Sequence, residues 1–185
     1  MSALDDEQRR QVAYWRSVPR GRPEHAEVPG PGQESVWDYP RPPRLERVGK
    51  SVRVEFAGQI VAETHDALRI CETASPATYY LPVRDVQKDC LVPAGGSSLC
   101  EWKGAARYFH IDAGNARAER AAWGYDEPLA PFEALAGHVA IFAGRVDACF
   151  VGDARVIPQP GPFYGGWITP DLVGPWKGEP GTEHW

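Results

Sequence analysis

Residues 52–63, VRVEFAGQIVAE, decide the fold class of this sequence. Val52, Val54 and Phe56 alternate with charged residues, which is the two-residue period of a strand with one buried face. Ala57-Gly58 predicts a tight turn, after which the chain returns as the second strand of a β-hairpin. Further strands are predicted over residues 69–73, 78–81, 99–103, 106–111 and 117–125.

A second hairpin is predicted over residues 139–151, where Phe142-Ala143-Gly144 repeats the earlier Phe56-Ala57-Gly58. The repeat has two explanations, an ancient duplication or independent use of the same turn chemistry, and both stay open. The run Gly95–Ser98 lacks the G-x-x-x-x-G-K-[ST] pattern, so we do not interpret it as a phosphate-binding loop. We predict an ordinary loop between strands there.

The segments outside the strand-forming region differ from it in composition. We divide the chain into residues 1–34, 35–156 and 157–185. The first segment is predicted as a helix over residues 3–17, capped by Ser2, followed by an arm rich in Pro and Gly. The last segment combines Pro and Gly with aromatic residues, which would be costly to leave in water, so we expect it to wrap the domain. The fold class is therefore mainly β, a compact single-domain barrel or sandwich with irregular aromatic arms.

Composition limits the partners and the compartment that we expect. The net charge of −5 argues against a general affinity for nucleic acid or for an anionic membrane. The N-terminus has no apolar leader and no segment reaches the roughly 20 apolar residues of a membrane span, so we expect a cytoplasmic protein. No pair of the four cysteines has C-x-x-C spacing and the histidines are scattered, so we expect no metal and no other cofactor.

Glu72 and Lys103 are the residues to which we assign chemistry. Glu72 shares a predicted strand face with Ile70, and a buried carboxylate could act as a general acid or base. Alternatively, Glu72 forms a structural ion pair. Lys103 shares a predicted face with Glu101, opposite Trp102, and could hold an anionic group or a carbonyl oxygen of a ligand. The alternative for Lys103 is an ordinary surface lysine.

Aromatic residues are the third feature, because Tyr and Trp combine an apolar body with a polar tip and commonly line small-molecule pockets. If both arms fold over one end of the sheet, the rings should surround its opening. The alternative is that they only fill the core. The predicted substrate-binding residues are Trp37, Tyr80, Trp102, Tyr108, Trp123, Tyr164 and Trp167.

An ordered series of motifs resembles a known family. The motifs are VEFAGQIVA at 54–62, Glu72-Thr73, Tyr79-Tyr80-Leu81-Pro82, Cys100-Glu101-Trp102-Lys103-Gly104, Ala122-Trp123 and residues 139–150. Over residues 52–151 they resemble the bacterial and fungal family catalogued as domain of unknown function 427, and the flanking segments look like the extensions of a bacterial branch. The resemblance implies a compact β fold related to the β-tent group.

The same family is sometimes labelled nucleotidyltransferase-like, and that activity usually needs clustered carboxylates that hold magnesium. No D-x-D pair follows Gly95-Gly96-Ser97 in this sequence, and the zinc-binding cysteine pairs of some β-tent proteins are also absent. The resemblance therefore implies a fold and leaves the activity open.

Three hypotheses about function follow. The first is a small-molecule enzyme with lyase, isomerase or hydrolase chemistry, in which Lys103 anchors the substrate and Glu72 moves a proton. The second is a module that binds a small ligand or a peptide without turning it over. The third is a scaffold whose aromatic arms join two copies into a homodimer.

Overall fold

The computed structural model describes residues 5–19 and 21–182. It has one α-helix in this part of the chain, α1, over Asp6–Ser17. Asp5 caps the helix: its side chain accepts a hydrogen bond from Gln8 N at 2.8 Å, and the Gln8 side chain accepts one from Asp5 N at 3.1 Å. The predicted helix is observed over Asp6–Ser17, whereas its predicted start at residue 3 and its predicted cap Ser2 lie outside the described residues.

The described residues form fifteen strands, most of them short. In chain order they are β1 (Glu34–Ser35), β2 (Arg44–Arg47), β3 (Val52–Phe56), β4 (Gln59–Thr64), β5 (Leu68–Cys71), β6 (Thr78–Pro82), β7 (Leu91–Cys100), β8 (Gly104–Ala113), β9 (Ala116–Gly124), β10 (His138–Ile141), β11 (Ala148–Val151), β12 (Ala154–Arg155), β13 (Ile157–Pro158), β14 (Trp167–Ile168) and β15 (Leu172–Val173).

Two sheets make up the body of the protein. A seven-stranded sheet has the order β2-β5-β6-β10-β9-β8-β7, and a four-stranded sheet has the order β12-β11-β3-β4. The main hydrophobic core contains residues of both sheets, such as Val54 and Val61 from the smaller and Leu81 and Ile141 from the larger. Among the described residues no closed barrel is found, so of the two expected architectures the sandwich is the observed one.

The seven-stranded sheet buries a second hydrophobic cluster on its other face. Tyr79 and Leu81 of β6 belong to the main core, whereas Tyr80 between them belongs to the second cluster. Strand β10 alternates in the same way, because Val139 faces the core and Ala140 faces the second cluster. This alternation gives the sheet a second apolar surface for the arms to cover.

The C-terminal segment packs onto the domain, as its aromatic content predicts. The Trp37 indole N–H donates to the Pro175 carbonyl at 2.6 Å, and the Trp167 indole N–H donates to the Ile141 carbonyl at 2.8 Å. Trp167 also stacks on Tyr79, with ring centroids 5.1 Å apart. Strand β1 of one arm pairs in parallel with β15 of the other.

No helix in the described ranges is long and apolar enough to span a membrane.

The predicted hairpin over residues 139–151 is wrong. Strand β10 pairs with β6 and β9, whereas β11 pairs with β3 and β12, so the chain crosses from one sheet to the other. The reason is backbone conformation. Ala57 and Gly58 have φ of 51° and 72°, as a tight hairpin turn requires, but Ala143–Arg145 form a 3₁₀ turn with no left-handed residue. The shared tripeptide therefore makes two different turns.

The region around Lys103 also differs from the prediction. Gly95–Ser98 lie within β7, where the register shifts between Ala94 and Ser97, and are not a loop. The predicted strand over residues 99–103 ends at Cys100, and the next three residues form a turn into β8. Because the turn breaks the alternation, Trp102 and Lys103 are both buried.

Candidate functional site

A cavity of about 190 Å³ lies on the second apolar face of the seven-stranded sheet. We call it the pocket. Five consecutive strands from β5 to β9, or the residues directly after them, contribute to its wall, and the C-terminal segment closes one side. The lining includes Glu72, Tyr80, Cys100, Lys103 and Trp123.

Glu72 enters the pocket because of strand alternation. It follows the last residue of β5 and lies two residues beyond Ile70, and both residues line the pocket, as the sequence predicts. The Glu72 side chain is 16% exposed. The expected approach of a carboxylate to an aromatic cavity is therefore present.

Glu72 also forms an ion pair, which was the alternative to a catalytic role in the sequence analysis. Arg41 Nη1 donates to Glu72 Oε1 at 2.9 Å, and Arg41 Nη2 donates to Glu101 Oε1 at 3.1 Å. Within the described part of the chain, no hydrogen bond reaches Glu72 Oε2. One oxygen of the carboxylate is therefore fixed, and the other can accept a hydrogen bond from a ligand.

Arg41 itself is held by the N-terminal helix and by Trp102. Its Nη2 donates to the Trp15 carbonyl at 2.6 Å, and its guanidinium lies 5.3 Å from the centre of the Trp102 ring. Arg16 lies 5.0 Å from the same ring centre and donates to the Glu101 carbonyl. Helix α1 therefore braces the turn at residues 101–103, which forms part of the pocket wall.

Lys103 reaches the pocket from the end of this turn. Gly104, with φ of 94°, permits the sharp bend, and the Lys103 carbonyl accepts a hydrogen bond from Leu129 N at 3.1 Å. Lys103 is only 8% exposed. Across residues 5–19 and 21–182, its ammonium has no hydrogen bond and no ion pair. It is a buried charge that faces a cavity.

The pKa of Lys103 lies well above its ordinary value. Burial, the largest influence, lowers this pKa, and electrostatic interactions with Cys100, Tyr80, Tyr125 and Glu72 raise it. Lys103 is therefore an ammonium ion, which favours an anionic or carbonyl ligand and disfavours a Schiff base.

Aromatic rings form most of the remaining wall. The ring centroids of Trp123 and Phe142 are 4.3 Å apart, and Tyr80 meets Trp123 edge-on at 6.4 Å. The hydroxyls of Tyr108 and Ser98 form a hydrogen bond of 2.8 Å. These contacts fix the rings in place, so the pocket is shaped before any ligand enters.

The C-terminal segment closes the pocket through close contact with Trp123. A Cβ added to Gly165 would overlap Trp123 Cη2 and would lie 2.7 Å from Cζ3. Glycine is therefore required where this segment crosses the indole. Tyr164 lines the pocket beside it, with the Lys177 ammonium 5.4 Å from its ring centre.

Six of the nine predicted site residues line the pocket, and three do not. Those that line it are Glu72, Lys103, Tyr80, Tyr108, Trp123 and Tyr164. Trp37 and Trp167 belong to the main core, where their indole N–H groups bond to backbone carbonyls. Trp102 lies behind the wall, beneath Arg16 and Arg41. These three rings fill the interior, which was the alternative for the aromatic set.

The sequence-based selection missed Arg41, Cys100 and Tyr125. Tyr125 could have been found, because it lies two residues after Trp123 and alternation places both on one side. Arg41 carries no such signal, because it lies in a proline-rich arm without a period. In the described ranges, no group of three or more His, Cys, Asp or Glu side chains could hold a metal ion.

Comparison with known sequences identifies the family and no individual relative. A search of curated proteins found no match. The family described as "NTP_transf_9: Domain of unknown function (DUF427)" matches residues 44–152. The match includes Glu72, Cys100 and Lys103, whereas Arg41 and Tyr164 lie outside it. Because the match covers more than half of the 185 residues, the chain belongs to this family, Domain of unknown function (DUF427).

Proposed function

We propose that the protein is an enzyme that binds a small organic anion in the pocket and moves a proton on it. Lys103 anchors a carboxylate or a carbonyl oxygen of the ligand, and Glu72 acts as the general acid or base. The observation that carries the proposal is the unpaired ammonium of Lys103, which is 8% exposed and faces a cavity lined by aromatic rings.

The ammonium of Lys103 favours an anionic ligand. A buried charge is costly unless it is paired and hydrogen-bonded. Arg41 is already shared by the carboxylates of Glu72 and Glu101, and within the described residues no carboxylate forms an ion pair with Lys103. A ligand anion would supply the missing partner.

The size and lining of the pocket define the ligand further. A volume of about 190 Å³ is below the roughly 300–1,000 Å³ of typical drug-sized pockets, so the ligand is a small metabolite. The faces of Trp123 and Tyr80 suit a planar group. We therefore propose a small aromatic or conjugated acid as the ligand class.

Glu72 supports the catalytic part of the proposal. Arg41 binds Oε1 of Glu72 and thereby orients the carboxylate. The other oxygen, Oε2, is held in a fixed direction by the same contact. A general base must lie within hydrogen-bond reach of the proton that it removes, and fixing the carboxylate favours such an alignment. Lyase, isomerase and hydrolase reactions without a bound cofactor all remain within this proposal.

A non-catalytic binding module is the second candidate, and the Arg41 ion pair favours it. A carboxylate already held by a guanidinium has a structural role in shaping the pocket. In this case the protein would hold the same anion through Lys103 and would leave its protons unchanged.

Phenylpyruvate is a suitable probe for both candidates, because it carries a ring, a carboxylate, a carbonyl and an exchangeable C–H. Binding is measured by calorimetry, and deuterium exchange at the C–H is followed by NMR. We expect wild-type protein to bind the probe, Lys103→Met to bind it about 10–100-fold more weakly, and Lys88→Met, which alters an exposed lysine, to bind normally. Wild-type affinity in Lys103→Met would overturn the proposed anchor.

The exchange rate separates the enzyme from the binding module. If the protein is an enzyme of this kind, it accelerates exchange above the buffer rate, and Glu72→Gln abolishes the acceleration while binding persists. Binding without accelerated exchange would instead support the module. No binding of phenylpyruvate, and none of related small aromatic acids, would overturn the proposed ligand class.

The compartment and the assembly remain part of the proposal. Each of the four cysteines is free, which is consistent with the reducing cytoplasm expected for a bacterial protein. A homodimer formed through the arms stays a prediction, and sedimentation of the full chain would test it.

A further inference from the structure

Cys100 differs from the other cysteines in its position. Cys71, Cys90 and Cys149 are buried, whereas Cys100 is partly exposed and lines the pocket. It is the last residue of β7 and pairs with Gly104 across the turn that carries Lys103. The thiol of Cys100 is therefore the one that a ligand in the pocket could meet.

The Cys100 thiol has a carboxylate acceptor. Its Sγ–H donates to Glu101 Oε2 at 3.8 Å, while Glu101 Oε1 accepts from Arg41 at 3.1 Å. Glu101 thus bridges a fixed guanidinium and a thiol, which orients its second oxygen toward the sulfur. A carboxylate in this position can take the thiol proton.

Lys103 adds a buried cation to the same pocket. It is 8% exposed, lines the same pocket and has no partner in the described part of the chain. Cys100 and Lys103 line the same pocket, and Cys100 pairs with Gly104, the residue directly after Lys103. Reactive cysteines occur in partly exposed, electropositive surroundings of this kind.

We propose that Cys100 is a nucleophile that accepts an acyl group from an ester or thioester of a small acid. Glu101 receives the thiol proton and Lys103 stabilises the oxyanion. The inference uses the pocket of the proposed function but does not require proton transfer by Glu72.

The step balances without an external oxidant or reductant. The Sγ–H proton moves to Glu101 Oε2 as sulfur bonds to the acyl carbon, and the carbonyl electron pair moves to oxygen beside the Lys103 ammonium. Collapse of this adduct breaks the bond to the leaving alkoxide or thiolate, which takes the proton from Glu101. Water then attacks the acyl carbon and gives a proton to Glu101 Oε2, the S–C bond breaks with its electron pair on sulfur, and the thiolate takes that proton as the acid is released.

The test is acylation by p-nitrophenyl acetate, followed by stopped-flow absorbance and by mass spectrometry of the peptides. We expect a burst of p-nitrophenolate equivalent to the protein, with the acetyl group on Cys100. Cys100→Ser should lose the burst, and Cys90→Ser should keep it as the matched control. Glu101→Gln and Lys103→Met should each slow the burst by about 100-fold, as expected for the loss of a base or of an oxyanion donor.

Three results would overturn the assignment: a burst that persists in Cys100→Ser, an acetyl group on another residue, or acylation no faster than that of free cysteine. Phenylpyruvate binding is measured on Cys100→Ser in parallel. If binding persists while the burst assignment fails, the nucleophile is refuted and the proposed anion site stands. If wild-type protein binds no aromatic acid but shows the burst on Cys100, the proposed anion site is refuted and the nucleophile stands.

Discussion

Two clusters of arginine and glutamate lie on opposite sides of β5, and they are built differently. In the outer cluster, Arg69 donates to Glu34 through both Nη atoms, at 2.9 and 3.1 Å, and to Glu46 through Nε at 2.9 Å. In the pocket cluster, Arg41 holds Glu72 and Glu101, and Lys103 remains without a partner among the described residues.

The difference separates a structural role from a functional one. In the outer cluster every charged side chain forms an ion pair, Arg69 with Glu34 and Glu46 and Arg44 with Glu46, so the cluster needs nothing from outside to be stable. In the pocket cluster the unmatched charge is beside a cavity, so its natural partner is a ligand. Substitutions in the two clusters should therefore affect different properties, stability in the first and binding in the second.

Arg69→Met should have the largest effect. It leaves the carboxylates of Glu34 and Glu46 without their shared partner, and because Arg69 is 22% exposed we expect a loss of about 3 kcal/mol in the free energy of unfolding. Urea denaturation measures this loss. The matched control is Arg44→Met, which alters a 47% exposed partner of the same Glu46 and should cost about 0–1 kcal/mol. Equal effects of the two substitutions would contradict the structural role of Arg69.

Lys103→Met should show the opposite pattern. Loss of a charged hydrogen bond to the ligand should weaken binding of phenylpyruvate by about 10–100-fold. The free energy of unfolding should stay the same or rise, because the substitution removes a buried, unpaired charge. If Lys103→Met clearly lowers the free energy of unfolding and leaves phenylpyruvate binding unchanged, Lys103 stabilises the fold as Arg69 does and does not hold the ligand.

Gly165→Ala should have an intermediate effect, through the shape of the pocket. Its Cβ would overlap Trp123, so the C-terminal segment or the indole must shift, at about 1–2 kcal/mol. Near-ultraviolet circular dichroism should report the altered surroundings of Trp123. Gly49→Ala is the control, because a Cβ there meets nothing within 4 Å. An unchanged spectrum and unchanged ligand binding would show that the segment does not press on the indole.

Acid should have the smallest effect, and it should act through the outer cluster. Burial raises the pKa of Glu34 and Glu46, but hydrogen bonds from Arg69, Tyr39 and Arg44 outweigh it and hold each below 4.5. A lowered folded pKa adds stability that is full above 4.5 and is lost as the pH falls through the folded value. Because Glu34 is 43% exposed, we expect a contribution below about 1 kcal/mol.

The experiment for this pH dependence is denaturation of wild type and Arg69→Met across the acid range. The wild-type curve should fall more steeply below pH 4.5, the ordinary value for these carboxyls. Parallel curves for the two proteins would show that Arg69 does not set the two pKa values.

Alternation along a strand predicted much of this molecule. The hairpin over residues 52–63 and the approach of Glu72 to the pocket both follow from a two-residue period, and both are observed. In each case the relevant partner lies within the same strand or turn, so that sequence neighbours alone determine the outcome.

Features that depend on distant parts of the chain were not predictable in this way. Arg41 meets Glu72 across 31 residues and Glu101 across 60, and its proline-rich surroundings have no periodic pattern. Lys103 enters the pocket because β7 ends at Cys100, and the false hairpin over residues 139–151 depended on the backbone conformation of a shared tripeptide. Register, turn conformation and long-range ion pairs are tertiary properties.

A crystal structure of the protein with bound phenylpyruvate would show directly whether the Lys103 ammonium holds the ligand. We expect the ring of phenylpyruvate against Trp123 and its carboxylate or carbonyl oxygen about 3 Å from Lys103 Nζ. A probe bound elsewhere, or held in the pocket by Lys177 with Lys103 left unpaired, would contradict the claim that this buried ammonium is the ligand anchor.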